Sequence, residues 1–372
     1  MSDTPNTETT TDAQRAELAA AFGQELDPLA EYEATFQQAD ADPFALFKAE
    51  VLATRDIATR TRNGYDRVFR QWCEFMDDQD RHPACPSEAH VKGFARHELD
   101  TKDNQPDTVK EKLRKLNNAY TYWQDDPTFP HPQDYNPISL AKTKVTFADV
   151  ESKEPPRIPL EDLRNVLKGV THVRDRAIIA LQLKLGLRAT EVCNLKLADI
   201  DIQNADLREH YPELGSNPRL EGRQNAVYVP HDREGNKSQR PRLLPLDDEL
   251  RRVLLRYLLI RPDTDEPWVF LSLTRHEQLR KQDINQPWKN AFRPEYAETE
   301  YHRSVTSHYG RHYFTTYWRV EEDLNRELIK YMRGDTAGSM SIQERGAIDE
   351  YIHTYYEDII DLYRENVFKL NV

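Results

Sequence analysis

Arg188, His308, Arg311 and Tyr351 succeed one another in an order that chemistry can use. Two guanidiniums offer planar forks that match the oxygens of a phosphate, and a histidine adds another donor. A tyrosine that follows can attack the phosphorus they hold. Attack by a phenol on a phosphodiester passes through a five-coordinate state with charge on its non-bridging oxygens, which fixed cations stabilise. With a pKa of ~10, the phenol costs about 4 kcal/mol to ionise at pH 7. Nearby cations must lower that cost and a base must take the proton. The departing oxygen needs an acid, and Lys237 in the turn Glu234-Gly235-Asn236-Lys237 is placed to supply it. The scheme calls for no metal and no cofactor.

Each residue sits in a local context that could hold it. Gly186-Leu187-Arg188-Ala189-Thr190-Glu191 follows an apolar helix. Gly186 can take the left-handed position that ends it, and Thr190 can cap the next helix. Arg188 then lies in a tight turn, with Glu191 able to brace its guanidinium; capping of the preceding helix's carbonyls is the other use of such an arginine. Thr306 or Ser307 starts a further helix, and His308 and Arg311 share its face at i, i+3. His312, at i+4 from His308, also permits a zinc reading, but the sequence offers no third ligand. A buried donor is the structural role expected of His312. Near the end, Ile348, Ile352, Tyr355, Ile359 and Leu362 form an apolar stripe at helical spacing. Tyr355 falls near its centre, which predicts a core residue. Tyr351 and Tyr356 flank it, so Tyr351 can reach a cleft.

Those residues need elements to position them. The chain has 372 residues, a length that suits two domains. Residues 1–42 hold ten acids and one base, a net of −9 out of −13, and read as an acidic, disordered tail with one short helix at 13–37. The remaining 330 residues carry only −4, so the net charge does not exclude a polyanionic partner. Arginine outnumbers lysine 34 to 17. Such a lysine-poor, acidic chain suits a salty cytoplasm, where phosphate contacts must be more numerous.

Residues 43–140 predict a helical domain with helices at 61–77, 87–99 and 107–123. Arg60 and Arg62 precede a basic face continued by Arg67 and Arg70. Lys110, Lys112, Arg114 and Lys115 line another. Both read either as solvated faces or as contacts to a DNA backbone. A polar linker spans 141–158. Residues 159–372 predict helices at 160–169, 174–185, 247–260, 307–320, 323–332 and 347–366, with a strand pair at 225–231 and 240–246. No apolar run is long enough to span a membrane, and the N-terminus lacks the pattern of a signal peptide. Three scattered cysteines fit a reducing cytoplasm.

From about residue 43 to 366 the chain resembles the tyrosine recombinases, the integrase and Xer-like group, and archaeal members in particular. The residues that carry the resemblance are Asp175-Arg176-Ala177 leading to Gly186-Leu187-Arg188-Ala189-Thr190-Glu191; the Gly235-Asn236-Lys237 hairpin ending Leu244-Pro245-Leu246; His308-Tyr309-Gly310-Arg311-His312; and Tyr351-Ile352-His353. The resemblance implies a mainly α fold with a small antiparallel sheet. A helical, SAM-like core-binding domain and a catalytic domain would form a C-shaped clamp around DNA. Arg188 and Arg311 would bind the phosphate, with His308 beside them, Lys237 as the hairpin lysine entering the minor groove, and Tyr351 as nucleophile. The product would be a 3′-phosphotyrosyl intermediate. Partners implied are double-stranded DNA with inverted-repeat-like sites and a homotetramer on DNA, with a monomer or weak dimer off it. The last segment, 356–372, would dock on a neighbouring subunit.

Two features depart from the family. Its usual His or Trp before the tyrosine is replaced within Tyr331-Met332-Arg333-Gly334-Asp335, by Asp335 or Gly334, with Arg333 as a substitute donor. The hairpin is lengthened by Ser238-Gln239-Arg240-Pro241, which leaves the lysine equivalent open. A catalytically silent DNA-binding relative is therefore one alternative, and a type IB topoisomerase-like activity another. A metal-dependent nuclease lacks the clustered carboxylates it would need.

Overall fold

The computed structural model describes residues 14–335 and 348–372, except residues 16, 40, 56, 146 and 148–152; of residues 348–354 it describes the backbone alone. The chain divides into two units, Met1–Glu151 and Ser152–Val372.

Aromatic side chains organise the first unit. Its helices are α1 (Glu33–Ala39), α2 (Thr59–Asp77), α3 (Glu88–Arg96), α4 (Pro106–Asp125) and α5 (Pro137–Lys144). The apolar stripe of α2 buries Tyr65, Val68, Phe69, Trp72 and Met76. That of α4 buries Val109, Leu113, Leu116, Tyr120 and Trp123, as the helical spacing requires. Phe44 stacks on Phe69 at 4.0 Å between centroids. Both buried indoles find acceptors, Trp72 at the Pro83 carbonyl and Trp123 at the Pro43 carbonyl, each 2.9 Å. Ser87 caps α3 by accepting from the His90 N–H.

Where the sequence suggests a tail through residue 42, α1 forms, and Leu29 just before it is fully buried. Arg81 explains this locally, since it binds Asp27 at 2.9 Å and Glu33 at 3.2 Å. Asp27 and Glu33 thus have an internal partner. Helix α5 likewise runs to Lys144, inside the stretch read as linker.

In the second unit the elements are α6 (Leu160–Gly169), α7 (Val173–Leu185), α8 (Ala189–Cys193), β1 (Ile200–Asp201), α9 (Ala205–His210), β2 (Ala226–Val229), β3 (Arg242–Pro245), α10 (Asp248–Leu258), α11 (Lys281–Phe292), α12 (Ser307–Thr316), α13 (Arg326–Arg333) and α14 (Ile348–Asn366). Helix α7 is apolar on nearly every side and forms the centre, with α10 and α12 packed on it. The three strands form an antiparallel sheet ordered β1-β2-β3, with Ile200 opposite Val227 and Val227 opposite Leu244. Sequence patterning missed β1, which is two residues long, and α11, whose Pro287 argues against a helix. Among the described residues no helix is long and apolar enough to cross a membrane.

Helix α14 packs on β3, and Tyr363 donates to the Lys184 carbonyl at 2.8 Å. After Asn366 the chain folds back on its own unit. Glu249 accepts from the Leu370 and Val372 N–H groups, Phe368 stacks edge-on against Tyr317, and Lys369 reaches Asp247 at 2.9 Å. Beneath lies Lys184, fully buried and paired with Asp247 at 2.7 Å and Glu249 at 2.8 Å. Two carboxylates satisfy it, as a buried ammonium demands.

Candidate active site

Two glycines let the site close up. Gly186 ends α7 at φ 64°, and a Cβ there would sit 2.7 Å from the Phe314 ring. Gly310 lies so close to α7 that a Cβ would meet Gln182 and Trp288 at 3.0 and 2.9 Å. Helix α12 can therefore press against the end of α7. This brings Arg311 of α12 beside the turn that carries Arg188.

The cap after that turn is Arg188 itself, not Thr190. Its N–H donates to the Glu191 carboxylate at 2.8 Å, and its Nη1 reaches the same group at 3.4 Å. Glu191 is 1% exposed and also receives both forks of Arg242, at 3.2 and 2.8 Å. Burial would raise the Glu191 pKa; the Arg242 charge, the Arg188 N–H and Arg311 outweigh it and hold the carboxyl below its ordinary value. Glu191 is thus charged, and it braces two arginines. Arg242 is the member that the sequence reading missed. Its signal was a charged residue heading an otherwise apolar strand, Arg242-Leu243-Leu244-Pro245.

Arg311 is 2% exposed. Its Nη1 donates to the Gly186 and Arg333 carbonyls, both at 3.0 Å, so this arginine, rather than Arg188, caps a helix end. Its Nη2 donates to Asp335 Oδ1 at 2.8 Å, and Arg188 Nη2 donates to the same oxygen at 3.0 Å. Arg333 Nε lies 2.9 Å from the other carboxylate oxygen. Two guanidiniums thus converge on one oxygen, as they would on a phosphate oxygen. Burial, then Arg188 and Arg242, push the Arg311 pKa down to about 9. His308 lies at the surface of the first turn of α12. Partial desolvation and the charge of Arg311 lower its pKa, so at neutral pH it is an uncharged donor.

Helix α13 supplies Asp335 through a left-handed turn at Gly334, φ 68°. The Asp335 N–H closes onto the Lys330 carbonyl at 2.9 Å, and the Gln239 N–H of the hairpin donates to the Gly334 carbonyl at 2.9 Å. Tyr331 ties the same helix to β3 by donating to the Leu243 carbonyl at 3.0 Å. Lys237 is exposed in the hairpin, next to Asn236, which is pinned to Asn194 and the Pro230 carbonyl.

Tyr351 lies in α14, one turn before Tyr355, with its side chain outside the described residues. Tyr355 is half-buried and stacks on Tyr331 at 5.1 Å, whereas Tyr356 is the deeply buried one, 3% exposed. The core assignment thus shifts by one residue, because the helix rests on the sheet as well as on α13. His312 is exposed and stacks on Tyr309, so the buried-donor role is overturned. Among the described residues no group of three metal ligands forms around it.

In the first unit Arg60, Arg62, Lys110 and Arg114 are exposed. Lys112 is not: its ammonium is buried against Glu98, an internal ion pair that leaves nothing for DNA. Lys115 is half-buried and shares Glu111 with Arg114. Periodicity alone could not separate these two sides of one basic helix.

The model of the phage integrase family matches residues 159–340. Among curated proteins, y4rF of Sinorhizobium fredii, named as an integrase/recombinase, is 26% identical over 255 residues, covering 63% of this chain and 51% of its own. Tyrosine recombinase XerA of Pyrococcus horikoshii is 23% identical over 204 residues, covering 53% and 61%. The chain thus spans about half to three-fifths of those relatives. The solved Tn1549 transposon integrase, in complex with circular intermediate DNA, superposes with a TM-score of 0.59 at 18% identity, over 83% of this chain and 98% of that one. A lambda integrase dimer bound to a core site gives 0.59 at 13% identity, over 96% and 87%. The fold is therefore that of these integrases. Residues 159–340 are thus similar to the phage integrase family.

Proposed function

We propose that this protein is a site-specific DNA recombinase that cuts and rejoins strands through a 3′-phosphotyrosyl intermediate. The observation that supports it most is the convergence of Arg188 and Arg311 on a single anionic oxygen, with Glu191 fixing Arg188 and the Gly186 and Arg333 carbonyls fixing Arg311 from behind. Such rigidity suits a group that must stabilise charge at the moment of reaction.

In this reading the scissile phosphate takes the place of the Asp335 carboxylate. The Tyr351 oxygen, its proton passed to solvent, bonds to phosphorus, the phosphorus–O5′ bond breaks, and the phosphate stays linked to the tyrosine. Lys237 gives the leaving O5′ its proton. His308, neutral at pH 7, donates a hydrogen bond to a non-bridging oxygen. A 5′-hydroxyl from another strand then reverses the step. The arginines supply the positive charge, so the step routes through no metal.

The first unit, with Arg60, Arg62, Lys110 and Arg114, is assigned to the DNA backbone. Inverted-repeat-like sites and a tetramer on DNA complete the reading. Strand cleavage of supercoiled DNA carrying the gene's own flanks tests it. Cleavage should survive EDTA and vanish in Arg311→Ala. Loss in EDTA that divalent metal restores would contradict it.

A further inference from the structure

The site is already occupied by an anion of its own. Asp335 Oδ1 receives Arg188 and Arg311 at 3.0 and 2.8 Å, and Oδ2 lies 2.9 Å from Arg333 Nε. A phosphate and this carboxylate cannot both use the same Nη2 donors. We propose that Asp335 is an internal counter-anion which the scissile phosphate must displace, and that it thereby sets the affinity of the site for phosphate. This rests on the phosphate reading of the two arginines.

Three observations support a side chain that moves while its backbone stays. The backbone of residue 335 is fixed from both sides, by the Lys330 carbonyl and by the hairpin bond from Gln239 to Gly334. Gly334 itself is wedged, since a Cβ there would lie 2.5 Å from an Arg242 nitrogen. The carboxylate, in contrast, is 28% exposed and borders a cavity of ≈320 Å³ lined by Arg319, Arg326, Lys330 and Arg333. A carboxylate leaving the two catalytic arginines can keep an ion pair with Arg333 at the mouth of that cavity. Its charge is never stranded, which would otherwise oppose displacement.

In the empty site Asp335 also offsets the mutual repulsion of Arg188, Arg311 and Arg242, which lowers the Arg311 pKa. Removing its charge should therefore weaken the empty protein and strengthen anion binding at once. A residue that merely fills space would do only the first.

The test uses the full chain and inorganic phosphate at constant ionic strength, read by thermal unfolding and by titration calorimetry. Asp335→Asn should unfold at lower temperature than wild type without phosphate, and should bind phosphate about tenfold more tightly. Asp335→Glu, which keeps the charge, should stay near wild type. Adding Arg188→Met to Asp335→Asn should erase the gain. Equal phosphate affinity in wild type and Asp335→Asn would overturn the proposal, and so would a gain that survives Arg188→Met. Strand cleavage is assayed separately. A phosphate gain without any cleavage would sink the recombinase reading and leave the counter-anion standing.

Discussion

The two units solve the problem of a buried interior differently. The first unit relies on stacked rings: Phe44 on Phe69, Trp72 on Phe94, and Tyr120, Trp123 and Phe129 around His131. Its ion pairs include a buried one, Lys112 with Glu98, and a buried Glu88 whose partners Lys92 and Lys144 reach toward the surface; others, such as Arg114 with Glu111, are exposed. The second unit buries full charges: Arg242 with Glu191, Arg311 with Asp335, and Lys184 with Asp247 and Glu249. Apolar packing alone makes a fold more cheaply than buried ion pairs do. The second unit gathers two of these charge groups around Arg188, the site proposed to hold phosphate. The third, at Lys184, holds the C-terminal residues.

That contrast predicts where each unit breaks. The largest effect on stability is expected in the second unit from Arg242→Met. It leaves Glu191 charged, buried and short of its bidentate partner, and should cost about 3–5 kcal/mol in denaturant unfolding. Replacing both residues, Glu191→Gln with Arg242→Met, should cost less than the single change. A loss under 1 kcal/mol for the single variant would mean that Glu191 finds another partner.

Next comes the first unit's response to acid. His131 is 5% exposed and donates through Nε2 to the Ala84 carbonyl; burial holds its pKa down to about 4. The unfolded chain takes its proton near pH 6.5, so the folded state binds fewer protons between the two values. His131 thus favours folding fully above pH 6.5, and that contribution is lost as pH falls through 4, by about 3 kcal/mol. His131→Leu should flatten the pH slope of unfolding in that window. An unchanged slope would move the acid sensitivity elsewhere.

The smallest stability effect is expected at the surface of the first unit. Arg60, Arg62, Lys110 and Arg114 changed together to Ala should alter unfolding by only about 1 kcal/mol. The same variant should bind DNA more weakly whatever its sequence, with a salt dependence shallower by nearly one power of salt per lost contact. A steeper or unchanged salt slope would return this face to the solvent.

Much of the fold was legible because periodicity reports burial. The stripes on α2 and α4, the Ser87 cap and the left-handed Gly186 all follow from residue type and spacing. The rigid positions of Arg188 and Arg311 were legible, since their contexts are a tight turn and a helix start. Arg242 was not, because its meaning depends on a long-range partner, Glu191, 51 residues away. Lys112 was misread for the same reason: only the fold brings Glu98 to it. The Asp335 substitution was visible in the sequence, but not that its carboxylate lies across both arginines.

The central claim is that the arginine pair serves a tyrosine nucleophile on α14. Covalent trapping on nicked suicide DNA from the gene's flanks tests it directly, with wild type, Tyr351→Phe and Tyr355→Phe run on a denaturing gel. Wild type and Tyr355→Phe should form a protein–DNA adduct, and Tyr351→Phe should bind the same DNA without forming one. An adduct that persists in Tyr351→Phe, or a wild type that binds the site specifically and never forms one, would contradict the account.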